Sequence, residues 1–393
     1  MFSCSDDKTI NAFKWHTVQQ DGPHCSISQR YLGHGKAVNR IAVDGKRGFV
    51  WSVSRDLCIK QWKVDINSNS NNSSNSCGGG GAGAGECLQS IPDAAELNLS
   101  AIALDEEGDG CHVFVGSRDY SVKQYDVSTG KAVATFSSPR NVVTSLAVGS
   151  TGSSAGLVYQ SSEDLRVRIW DPRSSSASKM PAGEITDFVY FALCMDLHPD
   201  GNLLATGCKG FNGVGCEVKI FDLRAVGKEK SPLHAFRGHS QDVTACKFLS
   251  SANSSGTSNN SDSSSGCGSS SLQAPLVSCC KDGSIRAWDV RQGLSADGAI
   301  DVLETQRNYT SLAPLWNASV SNIDSASASA SASAGASASS HELHFSAGCF
   351  DGGTQLLSLR YDKARDRASI HVKHSTPSYT TEEGEDGGGM AGS

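Results

Sequence analysis

Cys280-Lys281-Asp282-Gly283-Ser284-Ile285-Arg286-Ala287-Trp288-Asp289 is the stretch that decides how this chain folds. Asp and Gly mark a turn. The run behind them alternates apolar and polar residues and ends on an aromatic. Alternation over about five residues is the period of a β-strand rather than a helix. The phrase returns along the chain as Ser54-Arg55-Asp56-Leu57-Cys58-Ile59-Lys60-Gln61-Trp62, Ser117-Arg118-Asp119-Tyr120-Ser121-Val122-Lys123-Gln124-Tyr125-Asp126 and Ser162-Glu163-Asp164-Leu165-Arg166-Val167-Arg168-Ile169-Trp170-Asp171. Ser5-Asp6-Asp7-Lys8-Thr9-Ile10-Asn11-Ala12-Phe13 is a copy with Phe in the Trp place. Glu217-Val218-Lys219-Ile220-Phe221-Asp222 and Phe350-Asp351-Gly352-Gly353-Thr354-Gln355-Leu356-Leu357 are degenerate copies that bring the total to seven.

A second signal precedes several copies. Gly33-His34 and Gly238-His239 are turns that lead into apolar runs, and Arg140-Asn141-Val142 and Ile185-Thr186-Asp187 hold the same place without the Gly-His. Together these motifs resemble the WD40 repeat family, whose blades of about 40–45 residues and four strands close into β-propellers. The resemblance implies an all-β, seven-bladed propeller. It also implies a hydrogen-bonded chain of His, strand Ser, turn Asp and Trp inside a blade. The matching residues are His34, Ser52, Asp56 and Trp62 in one blade, and His239, Ser278, Asp282 and Trp288 in another. In both, the Ser lies four residues before the Asp. A Ser, a His and an Asp also suggest a hydrolase triad, but the recurrence of the set and its indole favour a structural role, because buried polar groups need partners. The first copy departs from the pattern. It starts at its second strand, Phe2–Ser5, so the first blade is expected to lack its inner strand. The alternatives are a sequence shortened at its N-terminus or a ring that closes imperfectly.

The chain has 393 residues, 34 Lys and Arg against 41 Asp and Glu, and a formal net charge of −7. No basic run appears, which argues against a nucleic-acid partner. The first residues form neither a charged n-region nor an apolar h-region, and no apolar run approaches the length of a membrane span. The 14 cysteines contain no Cys-x-x-Cys pair. Cys4, Cys208, Cys279, Cys280 and Cys349 fall in strand-like runs, where a thiol behaves as a small apolar residue. These features read as an intracellular, cytoplasmic chain with reduced thiols.

Three Ser/Gly/Ala/Asn-rich inserts, 65–85, 250–271 and 322–340, interrupt a propeller spanning 1–374, and 375–393 reads as a disordered tail. The first insert follows a third strand, and the other two separate a first strand from a second. Those connections share one rim. Without about 80 such residues, roughly 310 remain, or about 44 for each of seven blades, the length expected of this repeat. The opposite rim, kept short, is the better candidate for a contact surface.

Scans for chemistry fail. Gly152-Ser153-Ser154-Ala155-Gly156 matches the Gly-x-Ser-x-Gly elbow but lacks the strand-to-helix turn that elbow needs. Gly78, Gly80 and Gly83 fit a dinucleotide fingerprint with no helix behind them. No cofactor and no metal is expected, and no enzymatic activity. Three features suit partner binding instead. Arg55, Arg118 and Lys281 precede the turn Asp and offer positive charge to an acidic peptide or phosphate, or are plain solvated turn charges. Phe211, in the glycine-rich turn Lys209–Glu217, is either an exposed anchor or a plug over the channel. Arg173 and Arg291 end Trp-Asp-x-Arg boxes. Similar boxes occur in propellers that serve as substrate receptors of cullin-RING ubiquitin ligases, and also in ordinary WD repeats. Within the family, the order of Ser138-Pro139-Arg140-Asn141, Gln160-Ser161-Ser162-Glu163-Asp164 and Gly210-Phe211-Asn212-Gly213-Val214-Gly215-Cys216-Glu217 resembles the WD repeat-containing protein 31 group. That resemblance implies a non-enzymatic regulator of cilium assembly and ciliary protein trafficking, with GTPase-activating proteins and ciliary transport complexes as protein partners. The ubiquitin-ligase receptor is the alternative.

Overall fold

The structure is a computed structural model that describes residues 2–18, 22–64, 83–105, 112–137, 140–174, 180–226, 231–249, 274–290, 299–315, 341–362 and 367–376. Among them the strands form seven four-stranded sheets. In blades 2 to 7 the strands run in sequence order from inner to outer. The inner strands are Val38–Asp44, Leu99–Asp105, Val143–Val148, Ala192–Leu197, Val243–Phe248 and Tyr309–Pro314, and each stands beside the next. The fold is all-β. Its one helical turn among the described residues is the 3-10 turn Gly152–Ser154.

Blade 1 differs. Its strands are Phe2–Cys4, Ile10–Val18 and Gly22–Tyr31, which match second, third and outer strands elsewhere, and the described residues supply no inner one. The fourth strand, Gly83–Ala84, sits on the outer edge. It pairs parallel with Gln29 and Arg30, and the Gly85 N–H donates to Arg30 O at 2.8 Å. A Cβ on Gly85 would lie 1.9 Å from the Tyr31 ring, so only glycine passes there. The end of the expected 65–85 insert is therefore part of the sheet, because backbone pairing needs no side-chain pattern. The expected tail boundary also moves. Ser375 ends the outer strand Arg367–Ser375 of blade 7, and Thr376 exchanges hydrogen bonds with Thr354. Inserts 250–271 and 322–340 lie outside the described residues, which end at Leu249 and Leu315 and resume at Ala274 and His341. Both join an inner to a second strand, and 65–82 joins a third to an outer strand, so all three leave from one rim, here the lower.

Blades stack through aromatics. An outer-strand ring of one blade lies on the third-strand Trp of the next: Tyr31 on Trp62 at 5.6 Å, Phe136 on Trp170 at 5.2 Å, and Phe236 on Trp288 at 5.0 Å. All three indoles are buried, and such ring pairs add about 0.5–1.5 kcal/mol to their area term.

The inner strands are also stitched. Each carries a bulge near its start that leaves one residue unpaired: Asn39, Ser100, Thr144, Leu193, Thr244 and Thr310. A bulge re-aims its side chain, here toward the next blade. Asn39 donates to Leu99 O at 2.5 Å, Ser100 to Val143 O at 2.6 Å, Thr144 to Ala192 O at 2.6 Å and Thr244 to Tyr309 O at 2.8 Å. Leu193 has no polar atom to give, and Thr310 turns back to Gly348 O of its own blade at 3.2 Å. Replacing Thr144 by Val keeps the shape and removes the donor, leaving Ala192 O unpaired. The expected loss is roughly 1–3 kcal/mol, read as a lower urea midpoint with an unchanged slope.

Candidate functional site: the upper rim

In blades 1, 2, 3 and 6 the turn between the second and third strands is built by its Asp. One carboxylate oxygen accepts the N–H two residues on: Asp7 from Thr9 at 2.9 Å, Asp56 from Cys58 at 3.0 Å, Asp119 from Ser121 at 2.9 Å, and Asp282 from Ser284 at 2.9 Å. The intervening residue is left-handed, with φ 73° at Lys8, 66° at Leu57, 70° at Tyr120 and 83° at Gly283. The other oxygen reaches the connection from the preceding blade. Asp56 accepts Gly35 N–H at 2.7 Å, Asp119 accepts Glu96 N–H at 3.0 Å, Asp164 accepts Arg140 N–H at 3.2 Å and Asp282 accepts Ser240 N–H at 2.7 Å. Burial pushes these four carboxyls up, but the hydrogen bonds outweigh it and hold them below the ordinary range.

The structure brings His34, Ser52, Asp56 and Trp62 into one chain. His34 Nδ1 lies 2.9 Å from Asp56, Nε2 lies 2.7 Å from Ser52 Oγ, and Trp62 Nε1 donates to that Oγ at 2.8 Å. One proton arrangement satisfies all three: Nδ1–H donates to the carboxylate, and Ser52 donates to Nε2 while accepting from the indole. His239, Ser278 and Trp288 repeat the geometry at 2.7 and 2.8 Å. There Asp282 is 3.7 Å from Nδ1, and Ser284 stands between them, 2.8 Å from Nδ1 and donating to Asp282 at 2.6 Å. Ser284 was not among the expected residues, although the Asp-x-Ser spacing announces it. His239, Cys280 and Asp282 also hold donor atoms within 4.8 Å of one another. Their lone pairs are committed to this network, and burial pushes the Cys280 thiol up to about 12, so it keeps its proton. The trio does not suit a cation.

Above these networks the channel opens into a hollow of about 260 Å³ lined by Arg40, Arg55, Arg118, Asn39, Asn98 and Glu163 among others. Arg55 and Arg118 thus share one mouth. Lys281 does not join them, since its ammonium is 2.7 Å from Asp242. Arg40 was not anticipated. It follows the bulge at Asn39, and nothing local in the sequence marks it.

The Lys209–Glu217 turn is a hairpin. Phe211 and Val214 exchange both backbone bonds at 3.0 Å around Asn212-Gly213, with φ 50° and 77°, the Asn-Gly preference of a two-residue turn. Gly213 N–H donates to Ser240 O at 3.0 Å and Gly210 N–H to Asp242 at 3.1 Å, which fixes the hairpin on blade 6. Phe211 is 69% exposed, so of the two expectations it is the projecting side chain and not a plug.

Residues 230–289 match the family model described as "WD domain, G-beta repeat". A solved structure described as "Structure of U3-55K" superposes with a TM-score of 0.58, at 14% identity, over 88% of this chain and 83% of that one. The fold is a seven-bladed β-propeller. Among curated proteins, "Ribosome biogenesis protein WDR12 homolog" of Oryza sativa subsp. japonica is 24% identical over 253 residues, 61% of this chain and 54% of that protein. The chain therefore spans about half the length of that relative.

Other expectations find their places in the propeller. Arg173 folds back on Asp171 at 2.8 and 3.3 Å, as Arg224 does on Asp222 at 2.9 and 2.7 Å, so the Trp-Asp-x-Arg box closes its own lower-rim turn. Arg291 lies outside the described residues. Ser154 is buried and donates to Thr151 O at 2.9 Å, far from the posture of a nucleophile. No helix among the described residues is long and apolar enough to cross a membrane.

Burial, partly offset by the turn carboxylates, holds His34 and His239 below their ordinary value. The unfolded chain takes up those protons near pH 6.5 and the folded chain does not. Stability is thus full above about pH 6.5 and falls as pH drops below it. A second loss begins below about pH 4, where the unfolded carboxyls protonate before the folded ones. Urea midpoints measured from pH 8 to 3 should decline in these two stages. Replacing both histidines with Gln should flatten the first stage and leave the second.

Proposed function

We propose that this protein is a non-enzymatic interaction platform that holds protein partners on its upper rim. One observation carries the reading: large exposed apolar side chains gather there. Leu97, Tyr120, Leu165, Tyr190, Phe211 and Val214 follow one another around blades 3 to 5, beside the basic mouth of Arg40, Arg55 and Arg118. Aromatic and Arg side chains are the residue types that dominate binding energy at interfaces. The partner segment this suits carries carboxylates or phosphates for the mouth and an apolar anchor for the Phe211 hairpin.

Motif order, and above all the Gly-Phe-x-Gly-x-Gly-Cys-Glu turn, supports a role in cilium assembly and ciliary trafficking. The partners would be GTPase-activating proteins and ciliary transport complexes, met in the cytoplasm and at the ciliary base. The name of the rice relative supports a different process, ribosome biogenesis. Proximity labelling of the full chain in ciliated cells separates the two. Ciliary-base proteins among the labelled set favour the first reading, and pre-ribosomal proteins replace it with the second. The platform itself is tested by Arg55→Glu with Arg118→Glu, and separately by Phe211→Ala. Each should cut partner capture by roughly tenfold or more at an unchanged unfolding midpoint. Undiminished capture by both variants would remove the upper rim from consideration.

A further inference from the structure

Leu193 breaks the series of stitches between inner strands, and two cysteines face each other at that break. Cys194, in the inner strand of blade 5, and Cys246, in the inner strand of blade 6, have their sulfurs 3.7 Å apart. Cys194 Sγ also lies 3.7 Å from Val243 O. That carbonyl immediately precedes the bulge of blade 6, as the acceptors of the other stitches precede theirs. A thiol is a weak donor, and the firm polar ties of this junction lie at the far end of the two strands, where Asp196 accepts from Phe248 N–H at 2.8 Å and pairs with Lys247 at 2.5 Å. We propose that Cys194 and Cys246 are an oxidation site, a thiol pair that closes into an inter-blade disulfide and locks blade 5 to blade 6.

The surroundings divide the two roles. Cys194 is partly accessible, whereas Cys246 is 1% exposed. The two sulfurs are in hydrogen-bond contact at 3.7 Å, and that contact together with burial pushes the Cys246 thiol up. That bond, with the positive charges of Lys247 and Arg40, holds the Cys194 thiol below the ordinary range against the effect of burial. The thiolate is the attacking species in thiol chemistry, and Cys194, the more accessible of the two, is placed to meet an oxidant first. Cys208 and Cys279 lie nearby but are poor competitors, since burial pushes both thiols up, Cys208 to about 12.

The oxidant is a peroxide. Cys194 thiolate attacks one peroxide oxygen and breaks the O–O bond. This gives a sulfenic acid and, after proton uptake, water. Cys246 then attacks that sulfur, the S–S bond forms, and the hydroxyl leaves with the Cys246 proton as a second water. Two thiols and one peroxide become one disulfide and two waters. The sulfurs must close from 3.7 Å to about 2.05 Å, a movement of side-chain scale. The loop enclosed runs from residue 194 to 246, long enough for a cross-link to restrict the unfolded chain strongly.

The test uses the full chain, reduced and then exposed to dilute hydrogen peroxide. Remaining thiols are alkylated in denaturant, and the chain is digested without reductant for mass spectrometry. The expected product is a peptide pair joined through Cys194 and Cys246, together with an unfolding midpoint raised by roughly 5 °C and restored by dithiothreitol. Cys194→Ser and Cys246→Ala should each abolish the cross-link and the shift. Cys87→Ser, which removes an exposed thiol, should leave both. If either inner-strand variant fails to fold, the peptide map of the unaltered chain still decides. Both thiols alkylated after peroxide, or Cys194 joined to Cys208 or Cys279, would overturn the proposal.

Discussion

The propeller depends on a carboxylate that serves two masters. In each well-formed upper turn, one oxygen of Asp shapes its own turn and the other anchors the connection arriving from the previous blade. The first bond is local and would form in a peptide. The second is formed only when the blade is assembled. A single side chain therefore couples turn formation to blade packing. This is why the Asp survives in blades where the residues around it do not. Blade 4 replaces the Gly-His with Arg140-Asn141 and still delivers an N–H to Asp164. Blade 3 does the same with Glu96 and Asp119. His34 and His239 are additions to this frame. They extend it inward to Ser and Trp and connect the rim to the aromatic stack between blades.

The inner end of the Trp chain shows how far a pattern can vary without losing its physics. Ser52, Gln160 and Ser278 all stand four residues before their Asp. Trp170 donates to Gln160 Oε1 at 2.8 Å as Trp62 donates to Ser52 Oγ. The longer side chain does the work of Ser and His together. Blade 3 has Val115 at this position and Tyr125 in place of Trp, and the phenol turns outward to donate to Ala94 O at 2.7 Å. In each of these blades the buried ring donor finds an acceptor, although Gln160 Nε2 is itself buried with no hydrogen-bond partner among the described residues.

Seven blades, the turn Asp and the Trp positions were legible because each repeats at a fixed spacing. What escaped was set by geometry that no local pattern encodes. Gly83–Ala84 pairs through backbone alone, so a Gly/Ala run carried no strand signal. Arg40 enters the mouth beside Arg55 and Arg118 because a bulge at Asn39 shifts the register of its strand. The alternation rule predicts sides for regular strands and fails one residue after a bulge. Lys281 shows the converse error. Its sequence position equals that of Arg55, but Asp242 holds its ammonium at 2.7 Å, whereas Asp6 comes only to 3.8 Å from Arg55. Equivalence in the repeat is therefore not equivalence in the field.

The same ties explain where the chain has grown. Upper connections are bound to one another: Asp56 to Gly35, Asp282 to Ser240, the Phe211 hairpin to Ser240 and Asp242. Lengthening any of them would break a bond that a neighbouring blade needs. Several lower turns close on themselves instead. Asp126 holds Ser128, Asp171 holds Arg173 and Asp222 holds Arg224. The exception is the Gly152–Ser154 turn, which docks on blade 5 through Thr151 to Pro199 O at 2.7 Å and Ser154 N–H to Gly201 O at 3.1 Å. That lower connection has stayed short. Loop closure costs rise only slowly with length where nothing else is lost. The Ser/Gly/Ala inserts all fall on this lower rim, and the first returns to the fold by pairing Gly83–Ala84 with blade 1.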